Sequence, residues 1–334
     1  MSEVRNIRIA GTGMYVPPRR VTNQDLEKLM DTSDEWIRKR SGIETRYHAE
    51  EDVSTSELGV LAAREAIEKA GVSPGDIDLV ITATLSPDHY FPGIGVQIQH
   101  GLGMSTTPAM DVRNQCSGFL YGLETARAFI ASGQADRVLV VCAEIHSKLI
   151  DMSTKGRDIA VLFGDGAAAL VVEPSTYGGQ GVLSSRLHAE GRYADRLWID
   201  KPGTAGKEFL TEEHVREGLH LPRMDGRYVF KHATTRLEQV VRAILDSGKL
   251  AVSDINCFLF HQANLRINEH VAKSMGIPTD KLLNNINKFG NCSSASLPML
   301  IHEAVVRGTI REGDLICLGA FGSGFTWGGM LLRW

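Results

Sequence analysis

The sequence lacks paired cysteines, an excess of basic residues and a long apolar run. It has five cysteines and no C-x-x-C motif, so we expect neither a disulfide framework nor a zinc site, and we favour a reducing, cytoplasmic location. Lys and Arg number 36 against 40 Asp and Glu, which does not indicate nucleic-acid binding. No window approaches the ~18 consecutive apolar residues of a membrane helix. Charges also interrupt the first apolar stretch, so we expect no secretory signal.

Apolar residues recur with the periods of buried strands and amphipathic helices. The chain has 334 residues, of which 43% are hydrophobic, which is enough for about two domain-sized units. Residues 78–84 and 137–142 are nearly continuous apolar runs, typical of strands buried on both faces. Leu237, Val240 and Ile244 recur at helical spacing. The alternation of strands and helices predicts an α/β fold.

The chain contains a weak internal repeat. SPGDIDLVIT at residues 73–82 resembles AVSDINCFLF at residues 251–260, which places Asp76 and Asp254 at equivalent positions. A second similarity, in the same order and at nearly the same offset, relates Gly133 to Gly308. We therefore predict duplicated halves, residues 1–174 and 175–334. Residues 187–224 match nothing in the first half, and we interpret them as an inserted surface region and a candidate lid.

Cys116 stands between a predicted strand and a predicted helix, in DVRNQCSGF. A thiol at a helix N-terminus meets the helix dipole and free backbone amides, which favour the nucleophilic thiolate. A small buried core cysteine would fit the same position. The position alone leaves both interpretations open.

His261 and Asn291 occupy positions from which side chains can reach a site. His261 follows a predicted strand, and Asn291 lies in a turn rich in Gly and Ser. Each alone fits a structural role, as a core histidine or a helix-capping asparagine. Together with Cys116 they form a set that can build and resolve an acyl thioester, with imidazole and amide donors for an oxyanion.

The motifs around these residues resemble those of β-ketoacyl-acyl-carrier-protein synthase III, in the thiolase superfamily. They are TSDEWIRKRSGI, DVRNQCSGF, FGDGA, HQANLRI, GNCSSASLP and GAFGSGFTWG, and the resemblance runs from about residue 5 to 334. It implies a duplicated five-layered α-β-α-β-α thiolase-like fold and a homodimer. It also implies that the enzyme starts fatty-acid synthesis by condensing an acyl-CoA primer with malonyl-acyl-carrier protein (malonyl-ACP).

The same resemblance assigns the chemistry. Cys116 would attack acyl-CoA and carry the acyl group, and His261 and Asn291 would stabilise the enolate formed when malonyl-ACP loses carbon dioxide. The backbone amides of Cys116 and Ser323 would form the oxyanion hole. Acyl-CoA is then a substrate, and neither a metal nor a redox cofactor is expected.

The resemblance also implies binding residues. Trp36 would stack on the CoA adenine, with Arg157 on its other face and Arg40 beside the phosphates. The pantetheine channel would be lined by Gly226, Phe230, Ala263 and Asn264. The acyl pocket would be formed by Phe321 and by Phe91, which would reach across the dimer. The carrier protein would dock on Lys231, Arg266 and Lys273. The three cations fit an ordinary solvated face equally well.

Several positions depart from the family pattern and leave the substrate open. Ser323 stands where the family commonly has Gly, Asn114 and Gln115 replace small residues, and Arg227 and Tyr228 adjoin the channel. One alternative is a related acyltransferase or condensing enzyme of a specialised pathway, with a different acyl donor or acceptor. The others are a Cys-His-Asn hydrolase and a non-catalytic module that binds CoA or carrier protein.

Overall fold

A computed structural model describes residues 5–334, and its first half is built on a five-stranded mixed sheet. The sheet has the strand order β1-β7-β6-β4-β5, in which β4 is parallel to β5 and β6 and β7 is antiparallel to β6 and β1. Strands β2 and β3 form a separate antiparallel pair. The strands are β1 (Ile7–Tyr15), β2 (Arg19–Thr22), β3 (Thr45–His48), β4 (Leu79–Ala83), β5 (Ala109–Val112), β6 (Val138–Glu144) and β7 (Gly166–Pro174).

Six helices accompany these strands. They are α1 (Asn23–Glu27), α2 (Asp34–Ser41), α3 (Thr55–Ala70), α4 (Ile94–Gly101), α5 (Gly118–Ala131) and α6 (Arg157–Ala160). Ser33 and Ser54 cap α2 and α3, each with a side-chain oxygen that accepts from a first-turn amide, and both helices end at a glycine in the left-handed conformation.

The second half repeats this plan. Its sheet has the strand order β12-β11-β13-β14-β8, and β9 and β10 form a separate ribbon. The strands are β8 (Gly181–Ala189), β9 (Leu197–Trp198), β10 (Arg223–Met224), β11 (Cys257–Phe260), β12 (Leu282–Leu283), β13 (Leu315–Gly322) and β14 (Thr326–Arg333). The helices are α7 (Glu212–Arg216), α8 (Gly226–Gly248), α9 (Leu265–Met275), α10 (Ile286–Phe289) and α11 (Ser296–Val306).

The two sheets enclose a layer of two helices, α5 and α11, which share one apolar core with both sheets. Helices α3 and α4 cover the outer face of the first sheet, and α8 and α9 cover the outer face of the second. Within β6, Val138 and Val140 face the inner helices, whereas Leu139 and Val141 face the outer ones, as the two-residue period of a strand requires. The predicted α-β-α-β-α layering is confirmed.

The repeated segments adopt equivalent structures. Asp76 and Asp254 each end a short 3-10 turn, and their carboxylates accept from the amides of Ser73 and Ala251. In chain order, β7 is the last strand of the first sheet and β8 is the first strand of the second. The domain division near residue 174 stays a prediction. Residues 1–4 of the predicted first unit lie outside the described residues. Residues 187–189 of the predicted insert belong to β8.

Among residues 5–334, no helix combines the length and the apolar character that crossing a bilayer requires.

Candidate active site

Cys116 sits in a tight turn between β5 and α5. The 3-10 turn Gln115–Ser117 leads directly into α5, and Gln115 has a positive φ of 42°. The end of β13 packs against this turn: a Cβ built on Gly322 would lie 3.0 Å from both the Cβ and the backbone nitrogen of Cys116. Glycine therefore lets the strand reach the nucleophile.

Burial makes Cys116 a neutral thiol at rest. The residue is only 7% exposed, and burial raises its pKa to about 12. A hydrogen bond from the Ser293 hydroxyl, with 3.6 Å between Oγ and Sγ, opposes this rise, whereas the nearby Glu144 carboxylate adds to it. The sequence analysis expected the helix N-terminus to favour the thiolate, whereas the net pKa of Cys116 is raised, with desolvation as the largest cause.

His261 is held neutral. Its backbone amide donates to the carbonyl of Gly319 over 2.8 Å at the end of β11, and the residue is only 3% exposed. Burial, followed by the nearby His146, lowers the pKa of His261 to about 3. Neither ring nitrogen has a hydrogen-bond partner within the described residues. A neutral imidazole offers one donor and one acceptor to a ligand.

Asn291 is fixed by backbone and side-chain contacts. Its amide donates to the carbonyl of Leu162 over 2.8 Å, and its carbonyl accepts from the amide of Gly164 over 3.1 Å. Its side-chain Oδ1 accepts from the amide of Ser293 over 2.8 Å. This bond orients the side chain and leaves Nδ2 as a donor for a ligand.

One cavity of about 940 Å³ brings Cys116, His261 and Asn291 together. It also contains most of the predicted binding residues, namely Trp36, Arg40, Gly226, Phe230, Ala263, Asn264, Arg266 and Phe321. Its wall also includes residues that were not predicted to belong to the site, namely Lys39, Leu197, Met224, Val229, Ala233 and Leu237. Leu197 and Met224 come from the region interpreted as an insert.

Trp36, at the cavity rim, lies beside two arginines. The guanidinium carbons of Arg40 and Arg157 are 4.6 Å and 4.8 Å from the centre of the indole ring. Arg157 is tethered by a 2.6 Å hydrogen bond to the carbonyl of Asp31. The group combines an aromatic ring with two positive charges, which suits a base attached to phosphates.

Five predicted residues are not among those that line the cavity within the described chain: Phe91, Arg157, Lys231, Lys273 and Ser323. Phe91 is 80% exposed, and Lys231 and Lys273 are exposed on α8 and α9. The Ser323 hydroxyl donates to the carbonyl of Leu197. Arg266 lines the cavity, but its guanidinium also donates to the carbonyls of Arg38 and Lys39 and to Glu269.

Two further residues, which were not predicted from the sequence, form hydrogen bonds that hold the site in place. Ser293 contacts the Cys116 sulfur. The fully buried Glu144 accepts from Ser294 and from the segment Thr84, Leu85 and Ser86. A glutamate at the end of an apolar strand is the one sequence signal that marks Glu144, because a buried carboxylate needs several donors.

Comparisons with known proteins agree along the whole chain. The family model described as 3-oxoacyl-[acyl-carrier-protein (ACP)] synthase III matches residues 110–191, and its C-terminal counterpart matches residues 245–334. The beta-ketoacyl-[acyl-carrier-protein] synthase III of Sinorhizobium medicae is 43% identical over 331 residues, covering 98% of each chain. That of Agrobacterium fabrum is 42% identical over 336 residues, covering 99% of this chain and all of the relative.

Solved structures give the same result. The 3-oxoacyl-[acyl-carrier-protein] synthase III of Aquifex aeolicus superposes with a TM-score of 0.90 at 40% identity, covering 98% of this chain and 100% of that chain. The priming β-ketosynthase of the R1128 polyketide pathway superposes with a TM-score of 0.89 at 32% identity, covering 99% of this chain and 97% of that chain. The chain therefore belongs to the β-ketoacyl-[acyl-carrier-protein] synthase III family of thiolase-like condensing enzymes.

Proposed function

We propose that this protein condenses an acyl-CoA primer with malonyl-ACP, with loss of carbon dioxide, and so initiates fatty-acid synthesis. The acyl group is carried as a thioester on Cys116. The observation that carries the proposal is that Cys116, His261 and Asn291 line one cavity in a chain that is 43% identical over its length to beta-ketoacyl-[acyl-carrier-protein] synthase III.

In the first half-reaction the Cys116 sulfur attacks the thioester carbonyl of acyl-CoA. The Cys116 S–C bond forms, the bond from carbon to the CoA sulfur breaks, and the thiol proton passes to the departing CoA thiolate. Because the thiol pKa is about 12 and the His261 pKa is about 3, His261 is too weak a base to hold this proton, which moves to the CoA sulfur as that sulfur departs. The amides of Cys116 and Ser323 stabilise the oxyanion.

In the second half-reaction malonyl-ACP occupies the cavity and loses carbon dioxide. The electron pair of the broken C–C bond passes into an enolate, whose oxygen accepts hydrogen bonds from His261 and from Asn291 Nδ2. The enolate carbon then attacks the acyl-Cys116 carbonyl and expels the Cys116 thiolate, which takes a proton from water. A His261 pKa of about 3 suits this role, because it keeps the ring a neutral imidazole, whose N–H is too weak an acid to protonate the enolate and donates a hydrogen bond instead.

The substrates bind from the cavity rim inward. Trp36, Arg40 and Arg157 hold the CoA nucleotide, and Gly226, Phe230, Ala263 and Asn264 line the pantetheine channel, ending at Phe321. Lys231 and Lys273, with Arg266, attract the acidic carrier protein. Of these three, Arg266 is already partly neutralised by Glu269, 2.8 Å away, so the two lysines supply most of the free charge. No cofactor takes part.

We propose that the enzyme is a cytoplasmic homodimer in which Phe91 closes the partner's acyl pocket. Phe91 is 80% exposed and the adjacent Tyr90 is 53% exposed, and a pair of exposed aromatic rings is typical of an interface. The first sheet also ends in the edge strand β5, which offers unpaired backbone groups to a second copy.

Intact-mass spectrometry tests the first half-reaction. The enzyme is mixed with a panel of acyl-CoAs, beside the Cys116→Ala variant. We expect a mass gain of one acyl group that is absent from the variant. Adding malonyl-ACP should then discharge the acyl group, release carbon dioxide and yield β-ketoacyl-ACP. If no acyl-CoA loads wild-type enzyme, the CoA-primed reaction is wrong.

A second candidate function is an acyltransferase or condensing enzyme of a specialised pathway. Two observations favour it: the likeness to the priming β-ketosynthase of the R1128 polyketide pathway, and Ser323 in the loop beside Cys116. Loading of Cys116 without release of carbon dioxide from malonyl-ACP would favour this candidate. Loading followed by hydrolysis without any acceptor would instead indicate a hydrolase.

A further inference from the structure

The loop that follows β13 is hydrogen-bonded both to the β9–β10 ribbon and to the segment that precedes it. The Ser323 hydroxyl donates to the carbonyl of Leu197. Phe325 and Glu190 exchange two backbone hydrogen bonds, of 3.0 Å and 2.7 Å. The Ser323 side chain is therefore committed to the ribbon.

The ribbon forms part of the cavity wall. Leu197 of β9 pairs with Met224 of β10, and both residues line the cavity that contains Cys116. The amide of Asp225 donates to the carbonyl of Arg196 over 2.9 Å, and the Asp225 carboxylate caps α8 through the amide of Tyr228. The Leu197 carbonyl and the start of α8 are thus both attached to this apolar wall.

The other side of the loop touches the nucleophile turn. Gly322 packs directly on Cys116. The hydroxyl of Thr326 donates to the carbonyl of Ser323 over 3.1 Å and lies 2.7 Å from the hydroxyl of Ser117, the residue after Cys116. The Ser323 side chain is consequently hydrogen-bonded to the cavity wall, and its backbone carbonyl is linked through Thr326 to the nucleophile turn.

We propose that Ser323 is a positioning residue that couples the Leu197–Met224 wall to the alignment of the loop beside Cys116. An acyl chain that fits the wall leaves the Ser323–Leu197 hydrogen bond intact and the Ser323 amide in place. A chain that displaces Leu197 pulls Ser323 with it and misaligns the amide. The enzyme then discriminates acyl chains by the rate of acylation more than by their binding. This inference rests on the proposed function.

Single-turnover acylation of Cys116 tests the coupling. Wild type, Ser323→Ala and Ser323→Gly are compared across straight and branched acyl-CoAs of increasing length. The matched control is Ser184→Ala, because Ser184 also bonds through its hydroxyl, to Ser247 over 3.0 Å, but does not line the cavity in the described chain. Both Ser323 variants keep the backbone amide, and Ser323→Gly provides a second variant if Ser323→Ala folds poorly.

We expect the ratio of acylation rates between the best and worst chains to shrink about 5-fold in both Ser323 variants, which corresponds to ~1 kcal/mol. The half-saturating acyl-CoA concentration should change less than 2-fold by our estimate, since the wall itself is intact. Amide hydrogen exchange at residues 196–198 and 223–225 should quicken. The Ser184→Ala variant should match wild type in all three measurements.

An unchanged rate ratio with unchanged exchange would overturn the inference. Complete loss of acylation in both folded Ser323 variants would also overturn it, because the hydroxyl would then serve the chemistry of every chain equally. Failure of the proposed function gives a different result: wild-type enzyme would not load any acyl-CoA.

Discussion

The hydroxyl of Ser293 donates a hydrogen bond to the sulfur of Cys116 over 3.6 Å. The two residues lie in matching turns: Gln115 and Ser293 have φ values of 42° and 44°, and each belongs to a 3-10 turn that leads into an inner helix, α5 or α11. The register that equates Asp76 with Asp254 also equates Cys116 with Ser294. One half thus supplies the nucleophile, and the equivalent turn of the other half supplies its hydrogen-bond donor.

The Ser293→Gly substitution should make Cys116 less reactive. It removes the bond that holds the pKa of Cys116 down, while glycine tolerates the positive φ. Loss of ~1 kcal/mol of thiolate stabilisation predicts about 5-fold slower alkylation. Alkylation by iodoacetamide is followed by intact mass between about pH 8 and 10, with Cys116→Ala to subtract reaction at the other four cysteines. Equal or faster alkylation would contradict this role for Ser293.

The Glu144→Gln substitution should destabilise the fold where the two halves meet. The buried carboxylate accepts from the Ser294 hydroxyl at 2.7 Å, the Ser86 hydroxyl at 2.7 Å and the Thr84 hydroxyl at 3.0 Å. An amide NH₂ in its place would face these donors, so we expect a loss of about 2–4 kcal/mol in urea unfolding.

The control for this substitution is Glu212→Gln on α7, whose carboxylate is 90% exposed and should change stability by at most about 0.5 kcal/mol. A Glu144→Gln variant as stable as the control would show that the network contributes little.

The Trp36→Ala substitution should weaken acyl-CoA binding and spare smaller thioesters. Stacking of a base on an aromatic ring contributes about 1–3 kcal/mol, so we expect KM for acyl-CoA to rise about 5-fold or more. KM for the same acyl group on pantetheine, which has no adenine, should stay within about 2-fold. Steady-state kinetics with both substrates measures the two KM values. An equal rise in both would mean that Trp36 stabilises the fold and does not bind the adenine base.

The buried His261 should lower the free energy of unfolding as the pH falls. Its ordinary pKa of 6.5 applies in the unfolded chain, whereas burial keeps the folded value near 3. Between these values the unfolded state binds a proton that the folded state does not, so stability present above pH ~6.5 is lost progressively toward pH ~3.

The His261→Ala substitution removes this contribution. Between pH 7 and pH 5 the unfolding free energy of wild type should fall about 2 kcal/mol further than that of the variant, since one pKa unit is about 1.4 kcal/mol. Urea unfolding at both pH values measures the difference. Parallel losses in the two proteins would place the folded-state pKa of His261 near its ordinary value.

The sequence by itself determined the alternation of strands and helices and the candidate chemistry. Near-continuous apolar runs predicted β4 and β6, because such strands are buried on both faces, and helical spacing predicted α8. Cys116, His261 and Asn291 could be picked out because each follows a strand or a tight turn, where the ends of parallel strands converge. Local periodicity and residue type were sufficient for these predictions.

Only the tertiary structure decided how the site behaves. The protonation of Cys116 depends on burial and on Ser293, which is 177 residues away in sequence, and the Glu144 network joins residues 150 apart. The same applies to the Leu197–Met224 wall and its bond to Ser323. Leu197 and Met224 come from a region that has no counterpart in the first half. Desolvation and long-range hydrogen bonds depend on which segments pack together, and local sequence patterns do not encode that packing.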